Sequence, residues 1–124
     1  MKFYEDPTYI EMCRGAGEIQ EQCPDIDDAK SFWIDIENNP YNHNIWLPRL
    51  DQLIEMMSEQ FETGLMDAHY RFYEWIEKGK WTPDSWCSPW LRYGESYEAM
   101  WLAFLMETKH GKRWDFEKKE WVKV

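Results

Sequence analysis

Tyr97-Glu-Ala-Met-Trp-Leu-Ala-Phe-Leu-Met106 decides the fold, because a helix formed by this stretch is apolar on nearly every side. A helix without a polar face has to be covered on all sides by other elements. We therefore expect it to start near Ser96 and to form the central, most buried element. Gly111 predicts its end, and Lys109 and His110 in the last turn suit the negative end of the helix dipole.

Three further helices are predicted before this central one. Asp6 and Pro7 are typical of a helix start, with a capping carboxylate followed by proline at the first helical position, and Pro24 ends that helix. Gly15 and Gly17 lie inside it, each costing about 1 kcal/mol relative to alanine. They therefore indicate either close packing against a neighbour or a bend.

The second helix is predicted to begin at Pro48 and to break at Thr63-Gly64, and the third to follow from Leu65 to about Gly79. Apolar residues recur at helical spacing in both. The two apolar stripes are Leu50, Leu53, Ile54, Met57 and Phe61, and Leu65, Ala68, Phe72, Trp75 and Ile76.

Two β-hairpins complete the expected architecture. Residues 31–37 alternate in the manner of a strand, 38–44 are rich in turn residues, and 45–47 could return, which predicts a hairpin near 31–47. Residues 112–124 hold two short aromatic runs around a charged turn and predict a short C-terminal hairpin. The fold class is α+β, mainly α, with about four helices in a single compact domain spanning 1–124.

Acidic residues dominate the charge of the chain. The formal net charge is −10, and residues 1–40 hold ten acids against three bases. This balance disfavours direct binding to nucleic acid, but it could attract a basic protein surface, including a nucleic-acid-binding groove. Solubility is the alternative explanation of the acidity. The candidate partner-binding acids are Glu18, Glu21, Asp25, Asp27, Asp28 and Glu37.

Tryptophan is unusually abundant, with nine copies in 124 residues, and three of them lie in the proline-containing stretch 80–94. Such side chains either fill a small core or form a binding hot spot, since Trp, Tyr and Arg dominate the energy of many interfaces. The candidate binding residues of this stretch are Trp81, Trp86, Trp90, Arg92 and Tyr93.

No motif indicates catalysis, a metal or a cofactor. Glu55 and Glu59 have the i, i+4 spacing of paired carboxylates, but no Glu-x-x-His accompanies them, and a solvated helix face explains them better. The three cysteines lack a CxxC pair, and Cys87 lies in no nucleophile motif. Gly15-Ala-Gly17 lacks the lysine of a phosphate-binding loop. No apolar run suits a secretion signal or a membrane span, so a cytoplasmic protein is expected.

Several segments resemble small, uncharacterised proteins of bacteriophages and prophages. They are Asp6-Pro-Thr-Tyr-Ile-Glu-Met-Cys13, Glu18-Ile-Gln20, Trp46-Leu-Pro-Arg-Leu-Asp-Gln-Leu53, Tyr97-Glu-Ala-Met-Trp-Leu-Ala-Phe104 and Lys109-His-Gly-Lys-Arg-Trp114. The similar segments span most of the chain, and they are packing motifs rather than catalytic ones. The resemblance implies an accessory phage protein acting in the bacterial host cytoplasm. It carries over no functional residues, because the group has no assigned activity.

Three functions are compatible with these features. The leading hypothesis is a non-enzymatic phage protein that binds and antagonises a host protein, in its most specific form a defence nuclease such as a CRISPR effector. A second is a sponge that stacks a nucleotide signal between aromatic side chains of the 80–94 stretch. A third is a homo-oligomeric or virion structural protein.

Overall fold

The structure, a computed structural model, describes residues 2–24, 31–34, 45–61, 64–80 and 96–124. It has the predicted α+β, mainly α, architecture. In the described residues the helices are α1 (Pro7–Gly15), α2 (Gly17–Gln20), α3 (Leu50–Ser58), α4 (Leu65–Lys80) and α5 (Tyr97–His110). The strands are β1 (Phe32–Ile34), β2 (Ile45–Leu47), β3 (Lys112–Asp115) and β4 (Glu120–Lys123), and a short 3₁₀ helix, Phe3–Glu5, precedes α1.

Helix α5 is the central element, as its composition predicts. Every residue from Ala99 to Met106 is buried, because α1, α3, α4 and β3 all contact this helix. The Ser96 hydroxyl caps its start by accepting a hydrogen bond from the Ala99 N–H. Gly111 ends it in the left-handed conformation (φ 63°), which glycine adopts without steric cost.

The predicted first helix is divided in two at Ala16. The backbone of Ala16 leaves the helical region (φ −93°, ψ 75°), so α1 ends at Gly15 and α2 forms one further turn. Gly15 also permits close packing, since a Cβ atom placed there would lie 3.3 Å from Cδ1 of Trp121. Both effects expected of the glycine pair therefore occur.

The two residues predicted to mark helix starts, Asp6 and Pro48, differ in what the structure shows. Asp6 caps α1 as predicted, its carboxylate accepting from the Thr8 N–H at 3.1 Å. Pro48, however, precedes rather than opens α3, which begins at Leu50. The buried Pro48 carbonyl instead accepts a hydrogen bond from the Tyr9 hydroxyl at 2.8 Å, so this residue connects the α3 entry to α1.

A buried hydrogen bond joins the caps of α1 and α5. The Ser96 hydroxyl donates to Oδ2 of Asp6 at 3.0 Å, while Oδ1 of Asp6 caps α1. Both side chains are buried, and 90 positions separate them in sequence. The N-termini of the two helices are therefore held together by the hydrogen bond between their capping side chains.

Both predicted hairpins form antiparallel pairs. Trp33 lies opposite Trp46 in the first, and Trp114 lies opposite Trp121 in the second. The residues 35–44 that connect β1 and β2 lie outside the described residues. The C-terminal hairpin packs against α1, and the Trp121 indole N–H donates to the Met12 carbonyl at 2.9 Å.

The side chain of Gln20 covers the outer edge of β2. Its amide oxygen accepts from the Trp46 N–H at 2.9 Å, and its amide nitrogen donates to the Trp46 carbonyl at 2.8 Å and to the Cys13 carbonyl at 3.1 Å. Gln20 is itself buried. One amide thus takes the place of a third strand and attaches the hairpin to the α1–α2 break.

No helix in the described part of the chain is long and apolar enough to cross a lipid bilayer.

Candidate protein-binding surface

Most of the candidate residues predicted from the sequence lie outside the described part of the chain. These are Trp81, Trp86, Trp90, Arg92, Tyr93, Asp25, Asp27, Asp28 and Glu37. Their role in binding stays a prediction.

The two remaining candidates, Glu18 and Glu21, lie at the α2 turn. Glu18 is half-buried and forms an ion pair with Lys112 of β3. Burial is the largest single influence on the pKa of the Glu18 carboxyl and acts to raise it. The hydrogen bond from Lys112, a backbone hydrogen bond and the charges of Lys112 and His110 together outweigh burial, so the pKa lies below its ordinary value. Glu18 therefore attaches α2 to the C-terminal hairpin, whereas Glu21 is exposed to solvent.

The outer side of α4 carries an exposed apolar row that the sequence prediction did not select. Met66, Tyr70 and Tyr73 have the spacing i, i+4, i+7, which places them on one side of the helix. Their exposed fractions are 76%, 61% and 61%. Single exposed apolar residues are normal, but three that repeat on one side of a helix make that side a candidate binding surface. We call these three residues, one methionine and two tyrosines, the aromatic stripe.

The other side of α4 is held firmly in the core. Phe72 stacks on Trp101 of α5 with ring centroids 4.2 Å apart and an angle of 10° between the rings. Ala68 is fully buried beside it. Because these contacts fix the rotation of α4 about its axis, the aromatic stripe is directed to solvent. Leu65, expected in the buried stripe, is instead exposed at the first turn.

A polar bridge adds rigidity where α4 meets α5. One carboxylate oxygen of Glu107 accepts from the Trp75 indole N–H at 2.9 Å. The other accepts from the Arg113 guanidinium at 3.0 Å. Glu107 thus joins α4, α5 and β3 through one carboxylate.

Helix α3 and the residue that follows it, Glu59, carry a row of acids on the outer side. Asp51, Glu55 and Glu59 follow one another at intervals of four and are all exposed, while Leu53, Met56 and Met57 are buried. Asp51 is paired with Arg49 at 2.9 Å, and the hydrogen bond from Arg49 lowers the pKa of Asp51. In the part of the chain that the structure describes, no base is paired with Glu55 or Glu59.

The α3 and α4 helices pack against each other and are consecutive in the chain. Glu55 lies on the outer side of α3, Glu59 directly follows that helix, and the aromatic stripe lies on the outer side of α4. We call these two outer sides together the α3–α4 face. Its residues differ from the candidates selected from the sequence, most of which lie outside the described residues.

The described residues provide little for chemistry at this surface. No group of three or more His, Cys, Asp or Glu side chains among them could hold a metal ion. Cys13 is fully buried, and burial raises the pKa of its thiol well above the ordinary value, which favours the protonated form over the nucleophilic thiolate. Its neighbour Tyr9 is likewise buried, and burial raises the pKa of its hydroxyl.

The signal for the aromatic stripe was present in the sequence. Met66, Tyr70 and Tyr73 form a second apolar row on a helix whose first row, ending in Trp75 and Ile76, already accounts for core packing. A helix with one partner face needs one such row. The sequence therefore indicates that one of the two rows lacks a partner, although it does not show which one.

The chain matches no protein-family model, no curated protein and no solved structure at a significant level.

Proposed function

We propose that this protein acts without catalysis by binding another protein, in the setting of a phage accessory protein that binds and antagonises a host protein in the bacterial cytoplasm. The most specific form of the proposal is the antagonism of a host defence nuclease such as a CRISPR effector. An acidic protein could occupy the basic channel in which such a nuclease holds its nucleic acid.

The observation that supports this proposal is the aromatic stripe on α4. Three large side chains are held on one side of a firmly packed helix with most of their surface in water. Keeping apolar surface exposed has no benefit for folding, because burying it elsewhere would stabilise the chain by about 25 cal/mol per Å². Binding to another protein accounts for its retention.

The acidity of the chain supports the same proposal. A formal net charge of −10 gives long-range attraction to a basic partner and repulsion from free nucleic acid. The nucleotide-sponge alternative depends on aromatic residues of the 80–94 stretch, which lie outside the described residues.

Capture from a bacterial host lysate tests the proposal. The immobilised protein should retain a specific host protein that is released by raising the salt concentration, since screening weakens interactions between exposed charges. The retained protein, once purified, should lose its nucleic-acid binding or cleavage when the phage protein is added. Failure to retain any protein at low salt, from infected and uninfected cells alike, would contradict the proposed function.

A further inference from the structure

We propose that the α3–α4 face binds a partner surface made of aliphatic side chains flanked by lysine and arginine. This inference rests on the proposed function and names both the binding face and the chemistry of the partner.

The aromatic stripe supplies the apolar half of the interaction. Met66, Tyr70 and Tyr73 have the spacing by which helices present anchors to an apolar groove. Tyrosine is enriched among interface hot spots, and it has few rotatable bonds to immobilise on binding. Methionine is flexible and adapts to an irregular apolar surface. These residues require an apolar counterpart.

The acids of α3 supply the electrostatic half. Glu55 and Glu59 are exposed and four residues apart, and no base is paired with either within the described ranges. Within the described ranges, Asp51 of the same row and Glu18 and Glu107 on other elements have basic partners, whereas exposed acids such as Glu117 and Glu120 have none. The unpaired carboxylates of the α3–α4 face are therefore available to attract a basic rim on the partner.

The same charges disfavour the other occupants of this face. A second copy of the chain would bring two molecules of charge −10 together with both acidic rows at the same interface. Nucleic acid and anionic lipid surfaces would be repelled in the same way. A basic protein surface is the occupant that charge complementarity favours.

Two synthetic amphipathic helical peptides provide a defined test. One is built from leucine and lysine, and the other replaces every lysine by glutamate. Titration into the full-length isotope-labelled protein, followed by NMR, should move the amide signals of α3 and α4 with the leucine–lysine peptide. The leucine–glutamate peptide, of equal apolar content, should leave them unchanged.

Matched variants separate the two halves of the face. Tyr70→Ser with Tyr73→Ser should weaken binding of the leucine–lysine peptide by about tenfold or more, as expected for the loss of hot-spot residues. The control is Tyr97→Ser, which removes another exposed tyrosine on a different helix. Because all three side chains are solvent-exposed, the dispersion of the NMR spectrum should show that each variant is folded.

The charge variants are Glu55→Gln with Glu59→Gln, and their control is Glu117→Gln with Glu120→Gln in the C-terminal hairpin. Both pairs are exposed and remove the same number of charges. The α3 pair should weaken binding several-fold and reduce its salt dependence, whereas the hairpin pair should have a clearly smaller effect.

Four results would overturn the inference. The leucine–lysine peptide does not bind, it binds at another surface, both peptides bind equally well, or the protein forms a dimer that the tyrosine variants dissociate. If a host protein is captured equally by the wild-type protein and by the α3–α4 variants, the inference fails while the proposed function stands. If nothing is captured, the proposed function fails as well.

Discussion

Replacing Gln20 with methionine isolates the contribution of one buried amide to the fold. Methionine has a similar length and fills a similar volume, so the main change is the loss of three hydrogen bonds. The Cys13 carbonyl keeps a bond from the Ala16 N–H at 3.2 Å. The Trp46 N–H and carbonyl lose the partners that the amide supplied to them.

The expected cost follows from these two buried backbone groups. A buried donor or acceptor left unsatisfied costs about 1–3 kcal/mol. For two groups we expect a loss of about 3 kcal/mol in the free energy of unfolding, which is a large share of the roughly 5–15 kcal/mol typical of a whole domain. In a chain of this size, such a loss corresponds to a decrease of about 10 °C in Tm.

Urea unfolding monitored by tryptophan fluorescence measures this loss, with Gln22→Met as the control. Gln22 lies two positions away and also donates to a backbone carbonyl, that of Glu18 at 3.0 Å, but it is exposed to water. Its replacement should change the free energy of unfolding by less than about 0.5 kcal/mol. The assigned role of Gln20 would be refuted if Gln20→Met unfolded at the same urea concentration as wild type, or if both variants lost the same free energy of unfolding.

Gln20→Glu gives a second, pH-dependent check on the same site. A carboxylate there can accept from the Trp46 N–H but cannot donate to the Trp46 or Cys13 carbonyls. Burial should raise the pKa of the introduced carboxyl group in the folded state above its unfolded value of about 4.3. The variant should therefore be least stable relative to wild type at neutral pH, and the difference should shrink as the pH falls through the folded pKa. A pH-independent difference would contradict this reasoning.

Three further predictions concern the contacts that join distant parts of the chain. Ser96→Ala should lower the free energy of unfolding by about 1–2 kcal/mol, because it removes the α5 cap and the hydrogen bond to Asp6. Thermal unfolding measures this loss, and an unchanged Tm would contradict the prediction. Gly15→Val should lower the free energy of unfolding by about 1–3 kcal/mol, because the added side chain overlaps the Trp121 indole. Urea unfolding measures this loss, and an unchanged free energy of unfolding would mean that the hairpin can move aside. Burial lowers the pKa of His110 in the folded state, so the unfolded state binds the imidazole proton more readily. The free energy of unfolding should therefore fall from about pH 7 to about pH 5.5 more steeply in wild type than in His110→Asn. Parallel pH profiles of the two proteins would rule this out.

The parts of the fold that could be predicted from the sequence depend on local signals. The boundaries of α5 follow from Ser96, Gly111 and an apolar surface on all sides. The cap at Asp6 is likewise a property of adjacent residues. Both hairpins follow from alternation and turn composition. In the C-terminal hairpin only residues 116–119 separate the two strands, and pairing across a short turn requires little information from the rest of the chain.

The contacts that assemble these elements could not be predicted, since each joins residues far apart in sequence. Nothing near Gln20 indicates that its amide pairs with Trp46, and nothing near Glu107 indicates that it bridges Trp75 and Arg113. A polar side chain in a helix pattern is most often solvated, which would be the usual expectation for both. Only the packed structure shows that they are structural.

The sequence predicted an acidic and aromatic binding surface, and most of the residues selected for it lie outside the described part of the chain, so that surface stays a prediction. Of the two selected acids that are described, Glu18 is paired with Lys112. Pairing depends on which elements meet, and periodicity does not report it. The exposed row on α4 was overlooked because a helical pattern identifies apolar rows without showing which of them has a partner.

The hydrogen bond from Trp121 to the Met12 carbonyl also constrains how the chain is made. Its two residues lie 109 positions apart, and the ion pair of Glu18 with Lys112 likewise joins residues 94 positions apart. At a synthesis rate of about 5–20 residues per second, α1 emerges from the ribosome roughly 5–20 seconds before the hairpin that covers it. During that interval the apolar side of α1 lacks the hairpin that packs against it in the folded protein, so this part of the core can form only after residues 112–123 have been synthesised.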